Sequence, residues 1–141
     1  MKISWTSLKI SIAGAKLSHL VQKDKIWDHG SMAEQARIIF YLVLKAKASG
    51  NLDSLKKQCS ISCFEKLKRE IDTKNTQKGL EVENTLIQEI AIVDVHPRKN
   101  NRPDMFGALI KGVMRNDSPI QFKSQCSFVR QGEWWMLNEI K

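Results

Sequence analysis

The chain has 141 residues, of which 42% are hydrophobic and 27% charged, a balance typical of a folded domain rather than a disordered chain. That length suits one domain with a short arm, because domains most often run to ~100–150 residues. Twenty-three Lys and Arg against fifteen Asp and Glu give a net charge of +8, which favours anionic lipid, nucleic acid or an acidic protein surface as partner. No apolar run approaches the ~18 residues of a membrane span. Three cysteines, an odd count, argue against a disulfide framework and predict a reducing compartment.

Residues 1–27 are interpreted as a basic N-terminal arm. Four lysines recur there at intervals of seven residues, and Asp24 is the one acid. A helix would hold these lysines in one drifting stripe, whereas Leu8–Ile12 alternates as a strand does, so both conformations stay open. Such a segment is typical of a targeting sequence or of an arm on a membrane surface, with a solvated or packed extension as the alternative. The residues expected to contact lipid or phosphate are Lys2, Lys9, Lys16 and Lys23.

Residues 28–141 are expected to form the domain, beginning with helices. Apolar residues at helical spacing predict an amphipathic helix from Ser31 to Ala48, with Phe40 as its core anchor. Ser31 and Glu34 would form a capping box at its start, and Gly50 would end it in the left-handed conformation.

A shorter helix is predicted at about 52–58, and a third helix runs to about Thr73. Ser62 and Glu65 would form the capping box of this third helix. A polar linker at 75–83 separates the helices from a region in which every pattern indicates strands.

Two apolar segments, Leu86–Val95 and Phe106–Met114, predict the first two strands. A basic loop with two prolines joins them. We expect this loop to add phosphate or membrane contacts through Arg98, Lys99 and Arg102, with a solvated turn as the alternative.

The closing stretch, Phe122–Ile140, predicts a β-hairpin in which apolar and polar residues alternate on both sides of a Gln131-Gly132 turn. This register places Phe128 opposite Trp135 and Cys126 opposite Leu137, on the face that covers the helices.

The other face of this hairpin would carry Val129 opposite Trp134, with Met136 nearby. Apolar residues of these types are enriched at interfaces. We therefore expect Val129, Trp134 and Met136 to bind a protein partner or a second copy of the chain, unless the arm folds back and covers them through Trp5 or Leu8.

Helices first and antiparallel strands afterwards predict an α+β domain. Its N-terminal helices would pack in the concave face of a curved, four-stranded antiparallel sheet.

Three groups of residues, in order and at suitable spacings, resemble one known family. They are Ala36-Arg37 with Phe40, Gly50-Asn51-Leu52 with Leu55, and the closing Phe128-Val129-Arg130 with Gly132, Trp135, Leu137 and Ile140. Together they are similar to the domain of the mitochondrial inner-membrane translocase subunit 44 family, which belongs to the nuclear-transport-factor-2-like cone fold. The resemblance covers about 28–141 and departs from the family at Cys126, where that family usually has Trp.

The resemblance implies a cone-shaped fold and a non-enzymatic tether or scaffold on a membrane, beside a protein-import motor or, in one relative, on a mitochondrial ribosomal protein. Together with the net charge and the apolar patch, it gives the expected partners: a protein partner or homodimer, an anionic lipid surface and, only in a ribosomal context, nucleic acid. The expected location is the bacterial cytoplasm or the mitochondrial matrix, peripheral to the inner membrane. No cofactor is expected.

Two groups of residues are candidates for a catalytic or a metal site. Asp94 and His96 share a strand face, and a carboxylate beside an imidazole could act as a general base, but a polar strand end is the interpretation that we favour. Cys59 and Cys63 with His96 or Cys126 could bind zinc, yet without a paired CxxC they are expected to be small buried hydrophobes. No nucleotide or hydrolase motif is present.

We therefore predict neither catalytic nor metal-binding residues. The alternatives are a small-molecule-binding or isomerase-like cone-fold enzyme, and a ribosome-associated subunit that contacts RNA.

Overall fold

A computed structural model describes residues 4–73, 84–115 and 118–141, so the predicted linker at 75–83 lies outside the described residues. Three helices precede four strands. They are α1 (Trp5–Leu20), α2 (His29–Ser49), α3 (Ile61–Thr73), β1 (Thr85–His96), β2 (Met105–Met114), β3 (Ile120–Gln131) and β4 (Trp134–Ile140). Short 3₁₀ turns at Lys25–Trp27 and Asp53–Leu55 follow α1 and α2. Neighbouring strands are antiparallel in the order β1-β2-β3-β4, which confirms the predicted α+β fold class.

The hydrophobic core lies between the helices and one face of the sheet. Phe40 of α2 is 3% exposed, and its ring stacks on Phe122 with centroids 5.9 Å apart. Phe106 stacks on Phe128 at 4.8 Å and meets the edge of Trp135 at the same distance. The predicted position of Phe40 as a core anchor is therefore confirmed.

The pairing of β1 with β2 is irregular in two places. Its register shifts between Ile87 and Glu89 and again between Ile92 and Asp94. Each shift marks an extra residue in one of the two strands. Such an extra residue bends the strand and increases its twist, which helps the sheet to curve over the helices.

The residues that cap α2 and α3 lie two or three positions before the predicted capping residues. Asp28, not Ser31, caps α2, because its Oδ2 accepts a hydrogen bond from the Ser31 backbone N–H at 2.9 Å. That bond holds the pKa of Asp28 below its usual value. Ser60, not Ser62, accepts from the Cys63 N–H at 3.3 Å at the start of α3. The end of α2 at Gly50, with φ 78°, is as predicted.

The predicted hairpin register is wrong by two residues. Phe128 pairs with Leu137, and Arg130 pairs with Trp135, because the turn is Gly132-Glu133 rather than Gln131-Gly132. Gly132 has φ 64°, which fits a hairpin turn with glycine at its first central position. Side chains alternate with a period of two, so this shift leaves Phe128, Trp135 and Leu137 on their predicted core face. An irregularity between Ser127 and Phe128 then pairs Cys126 with Ile140 instead of the predicted Leu137.

Both edges of the sheet are partly covered. On β4, the Leu137 N–H donates to the Gln58 carbonyl, and the Leu137 carbonyl accepts from the Ser60 N–H, each at 2.8 Å. The Trp135 N–H donates to the Gln35 side chain, also at 2.8 Å. Such contacts occupy polar backbone groups that an edge strand would otherwise expose.

The other edge strand, β1, is flanked by α1. Ala13 and Leu17 of α1 are buried in the core at 2% and 4% exposure, and Lys16 Nζ donates to the Val95 carbonyl at 3.4 Å. The arm whose conformation the sequence left open is thus a packed helix. The predicted domain boundary at residue 27 stays a prediction, although Trp27 is also in the core.

Arg130 connects the end of this arm to the sheet. Its Nη1 lies 2.7 Å from Asp24 Oδ2 and 3.0 Å from Asp104 Oδ2, and its backbone N–H donates to the Asp104 carbonyl. The Arg130 side chain is 22% exposed. Its hydrogen bond lowers the pKa of Asp24 below the usual value.

Candidate functional site

The most conspicuous candidate surface is the outward side of α1. Trp5, Leu8 and Ile12 follow one another at spacings of three and four residues, which places them on one side of the helix. They are 70%, 41% and 50% exposed. We call these three residues the outer stripe; α1 therefore has a second apolar surface besides the one that packs on β1.

The charged residues of α1 and of the turn after it, up to residue 23, are all basic. No Asp or Glu occurs in residues 4–23, which include Lys9, Lys16 and Lys23. Asp24, the next residue, is held in the ion pair with Arg130. Lys2, also predicted to contact lipid, lies outside the described residues.

The predicted basic loop is an ordered small hairpin. Lys99 and Arg102 exchange two backbone hydrogen bonds, at 3.0 and 3.2 Å, around a tight turn in which Asn100 has φ 56°. The Arg98 N–H donates to Asp104 Oδ1. All three basic residues are exposed. The loop begins directly after β1, next to the end of β1 that Lys16 reaches, so these basic groups lie at one end of the sheet.

The outer face of the sheet carries the predicted partner patch. Val129 pairs with Met136, and Trp134 pairs with Gln131, which corrects the predicted Val129–Trp134 pair. Trp134 is 47% exposed, and the other two are half-buried. Because α1 flanks β1, at the opposite edge of the sheet from β4, neither Trp5 nor Leu8 covers this patch.

Asp94 and His96 line an open depression of about 210 Å³ on the same outer face. Asp94 lies over Gly107, where an added Cβ would be 3.4 Å from the Asp94 side chain. Much of the remaining lining is polar, from Gln125, Ser127, Glu139 and Lys141. His96 is exposed, which differs from the enclosed apolar surroundings that usually tune a catalytic base.

The three cysteines are free and buried. Burial raises the pKa of Cys126 to about 12, and a hydrogen bond with Cys63, together with burial, raises the pKa of Cys59. Neither Cys59 nor Cys126 is therefore a ready nucleophile. Among residues 4–73, 84–115 and 118–141, no group of three His, Cys, Asp or Glu side chains could hold a metal ion.

Sequence reasoning missed a groove of about 460 Å³ between the helices and the sheet. Its floor is apolar, and lysines and Glu70 stand at its margin. The apolar residues are Phe40, Val43, Leu44, Phe122 and Ile140, and the lysines are Lys47, Lys66, Lys123 and Lys141. These residues come from four separate parts of the chain, so no local pattern could have indicated the groove.

In the part of the chain that the structure describes, no helix combines the length and the apolar character needed to cross a membrane.

Comparison with known proteins adds little. No protein-family model matches the chain, and no curated protein matches it. Among solved structures, the chain is similar to a SEC-C motif containing protein from Rhodopseudomonas palustris, with 8% sequence identity and a TM-score of 0.34 over 69% of this chain and 70% of that one. A likeness this weak carries no inference about function.

Proposed function

We propose that the protein is a non-enzymatic tether that attaches to an anionic membrane surface through α1 and binds a protein partner through the outer face of its sheet. The observation that carries this proposal is the outer stripe of Trp5, Leu8 and Ile12, which is exposed on a helix without acidic residues. Exposed apolar side chains on a helix, with lysines beside them, can insert into the plane of a membrane surface.

The packing of α1 supports a role in attachment. Ala13 and Leu17 hold one side of the helix in the core while the outer stripe stays exposed. A membrane that bound the outer stripe would therefore hold the folded domain directly, without a flexible connection. Trp5 is a residue type enriched at the lipid–water interface.

The charges favour anionic lipid. Each lysine that reaches such a surface contributes ~1 kcal/mol, and Lys9, Lys16 and Lys23 belong to the arm itself. Arg98, Lys99 and Arg102 project near the end of the sheet that Lys16 reaches. Salt should weaken this attraction, since exposed charges are screened within ~8 Å at physiological ionic strength.

The protein-binding half of the proposal rests on Trp134, Met136 and Val129. Because they lie on β3 and β4, away from α1, a partner protein or a second copy could bind while α1 contacts lipid. The resemblance to the translocase subunit 44 family adds an import-motor setting at the cytoplasmic or matrix side of an inner membrane.

Two other functions have weaker support. An isomerase-like enzyme would use the depression beside Asp94 and His96, but that depression is open and His96 is exposed. A ribosome-associated subunit would use the same basic groups against RNA phosphates, yet exposed Leu8 and Ile12 favour lipid, because aliphatic side chains offer RNA bases no stacking surface.

The test is co-sedimentation of the whole chain with phosphatidylcholine vesicles that contain or lack phosphatidylglycerol. We expect binding to the anionic vesicles, weakened by salt. Replacing Trp5 and Ile12 together with Ser should weaken binding at least tenfold, because both insert apolar surface. Deleting the arm is not a clean test, since Ala13 and Leu17 belong to the core.

The matched control replaces Ile38 and Ile61 with Ser, since they are also exposed, at 49% and 81%, but lie on α2 and α3. This variant should bind as the parent does. Equal binding to neutral and anionic vesicles, or equal losses in both double variants, would rule out attachment through α1.

A further inference from the structure

Within the described part of the chain, half of β3 has a strand neighbour on one side only. β3 pairs with β2 from Ile120 to Val129, but with β4 only from Cys126 onward. Beyond β4, the Lys141 N–H donates to the Gln125 carbonyl at 2.9 Å. On the β4 side, the stretch 120–124 therefore has no neighbouring strand among the described residues.

The backbone groups of Gln121 and Lys123 point to this open side. The hydrogen bond from Lys141 shows that the Gln125 carbonyl points away from β2. Along an antiparallel strand, the backbone groups of successive residues point to opposite sides, so those of Lys123 and Gln121 point the same way as those of Gln125. Among the described residues, no bond is made to the outward backbone groups of Gln121 or Lys123. Unpaired groups in a row form a template for another strand.

The open edge borders the groove between the helices and the sheet, which Lys123 helps to line. The Phe122 ring is fixed against Gly112, where an added Cβ would be 2.7 Å from the ring, and it stacks on Phe40. Ile140 of β4 and Ile120 of β3 stand at the two ends of the open edge, and Ile120 is 53% exposed. The groove therefore lies beyond the end of β4 and in line with it, and its floor is apolar.

We propose that this groove binds an extended segment of a partner protein, which pairs as an added strand with residues 120–124 of β3. The main-chain bonds would be made to Gln121 and Lys123. Every second side chain of the segment would enter the groove beside Phe122, so these side chains should be apolar. Strand addition of this kind draws affinity from the backbone and specificity from alternate side chains.

The helical wall of the groove adds a charge preference. Lys47 Nζ lies 4.0 Å from Glu70 Oε2, whereas Lys66 is exposed and, within the described part of the chain, forms no salt bridge. An acidic residue in the bound segment would meet Lys66. The groove thus favours a segment that combines alternating apolar residues with an acidic one.

The dimensions favour a peptide over a second copy of the chain. About 460 Å³ lies within the range of ~300–1,000 Å³ usual for ligand sites. α2 and α3 form one wall of the groove, so a strand can enter, but another sheet would bring its own helices against them. The proposal is independent of membrane attachment by α1.

The experiment uses the whole chain and a capped synthetic hexapeptide in which Val alternates with Thr and one Thr is replaced by Asp. Amide hydrogen exchange followed by NMR should show fast exchange at Gln121 and Lys123 in the free protein and protection after peptide addition. The amides of Phe122 and Ser124, which face β2, should be protected in both states.

A pair of variants at one position provides the control. Lys123→Ala keeps the backbone N–H and loses the lysine side chain, so it is the reference for Lys123→Pro, which loses the same side chain and also the donor on the open side. Lys123→Pro should bind at least tenfold more weakly than Lys123→Ala. Proline is tolerated at an edge where its N–H would face solvent, and circular dichroism checks the fold.

A second control changes the peptide and not the protein. N-methylation of the amides on one edge of the peptide should abolish binding, whatever the stability of Lys123→Pro. Equal binding of the methylated peptide, protection at another edge, or no binding at millimolar concentration would overturn the proposal. A dimer that protects Gln121 and Lys123 without peptide would instead identify a second copy as the occupant.

Discussion

Trp134 and Trp135 are neighbours in sequence but differ completely in environment. Trp135 is 2% exposed, its ring centroid lies 5.1 Å from that of Trp27, and its Nε1 donates to the Ile26 carbonyl. Trp134 is 47% exposed on the outer face. The two residues are of the same type, so residue type does not explain the difference in burial. Trp135 lies on the face of the sheet that the helices cover, and Trp134 lies on the opposite face.

The largest expected effect is the loss of Trp135. Trp135→Ser should cost at least ~3–5 kcal/mol of unfolding free energy, since truncating a large core aromatic leaves a cavity, and should unfold much of the population. Trp134→Ser should stay within about 1 kcal/mol of the parent. Urea titration followed by circular dichroism measures both, and the assignment of faces fails if Trp134→Ser is the less stable variant.

A second contrast lies within α2, where Phe40 is buried and Ile38 is 49% exposed. Phe40→Ala should lower the free energy of unfolding by ~3–5 kcal/mol because it empties the contact with Phe122. Ile38→Ala should change it by only about 0.5 kcal/mol. An unchanged thermal midpoint in Phe40→Ala would contradict its position in the core.

A smaller effect is expected at the ion pair that joins the arm to the sheet. The pKa of Asp24 is lowered in the folded state, mainly by the hydrogen bond with Arg130, so its contribution to stability is present at neutral pH. The contribution should begin to fall as the pH drops toward the ordinary aspartate pKa of ~3.9 and disappear below the folded-state value.

Asp24→Asn tests this pH dependence. The variant should be less stable than the parent at pH 7, and the difference should shrink by pH 3. Urea midpoints of both proteins at the two pH values provide the measurement. A difference that stayed constant with pH would show that Asp24 stabilises the arm by some other means than its charge.

The smallest effect on the fold, but a measurable one on association, is expected from Trp134→Ser. If the outer face binds a second copy or a partner, this variant should reduce the association constant at least tenfold while its circular dichroism spectrum stays unchanged. Analytical ultracentrifugation measures self-association. Gln121→Ser, on the same face but away from β4, is the control and should associate as the parent does.

From α2 onward, local patterns in the sequence predicted the order of elements and the division of the sheet into two faces. Alternation with a period of two predicted the strands, and it kept Phe128, Leu137 and Trp135 on the core face although the predicted register was wrong. Helical spacing predicted α2 and the burial of Phe40. These features depend on residues close together in the chain, so the pattern could show them.

The conformation of the arm depends on its packing against β1, because its two apolar stripes and its lysines give no single period. Tertiary packing also sets the hairpin register, through the turn at Gly132, and the ion pairs of Arg130 with Asp24 and Asp104, which lie 106 and 26 residues away. The groove and the open edge of β3 depend on where β4 ends relative to two helices. Contacts between distant parts of the chain leave no local pattern, and so the structure had to reveal them.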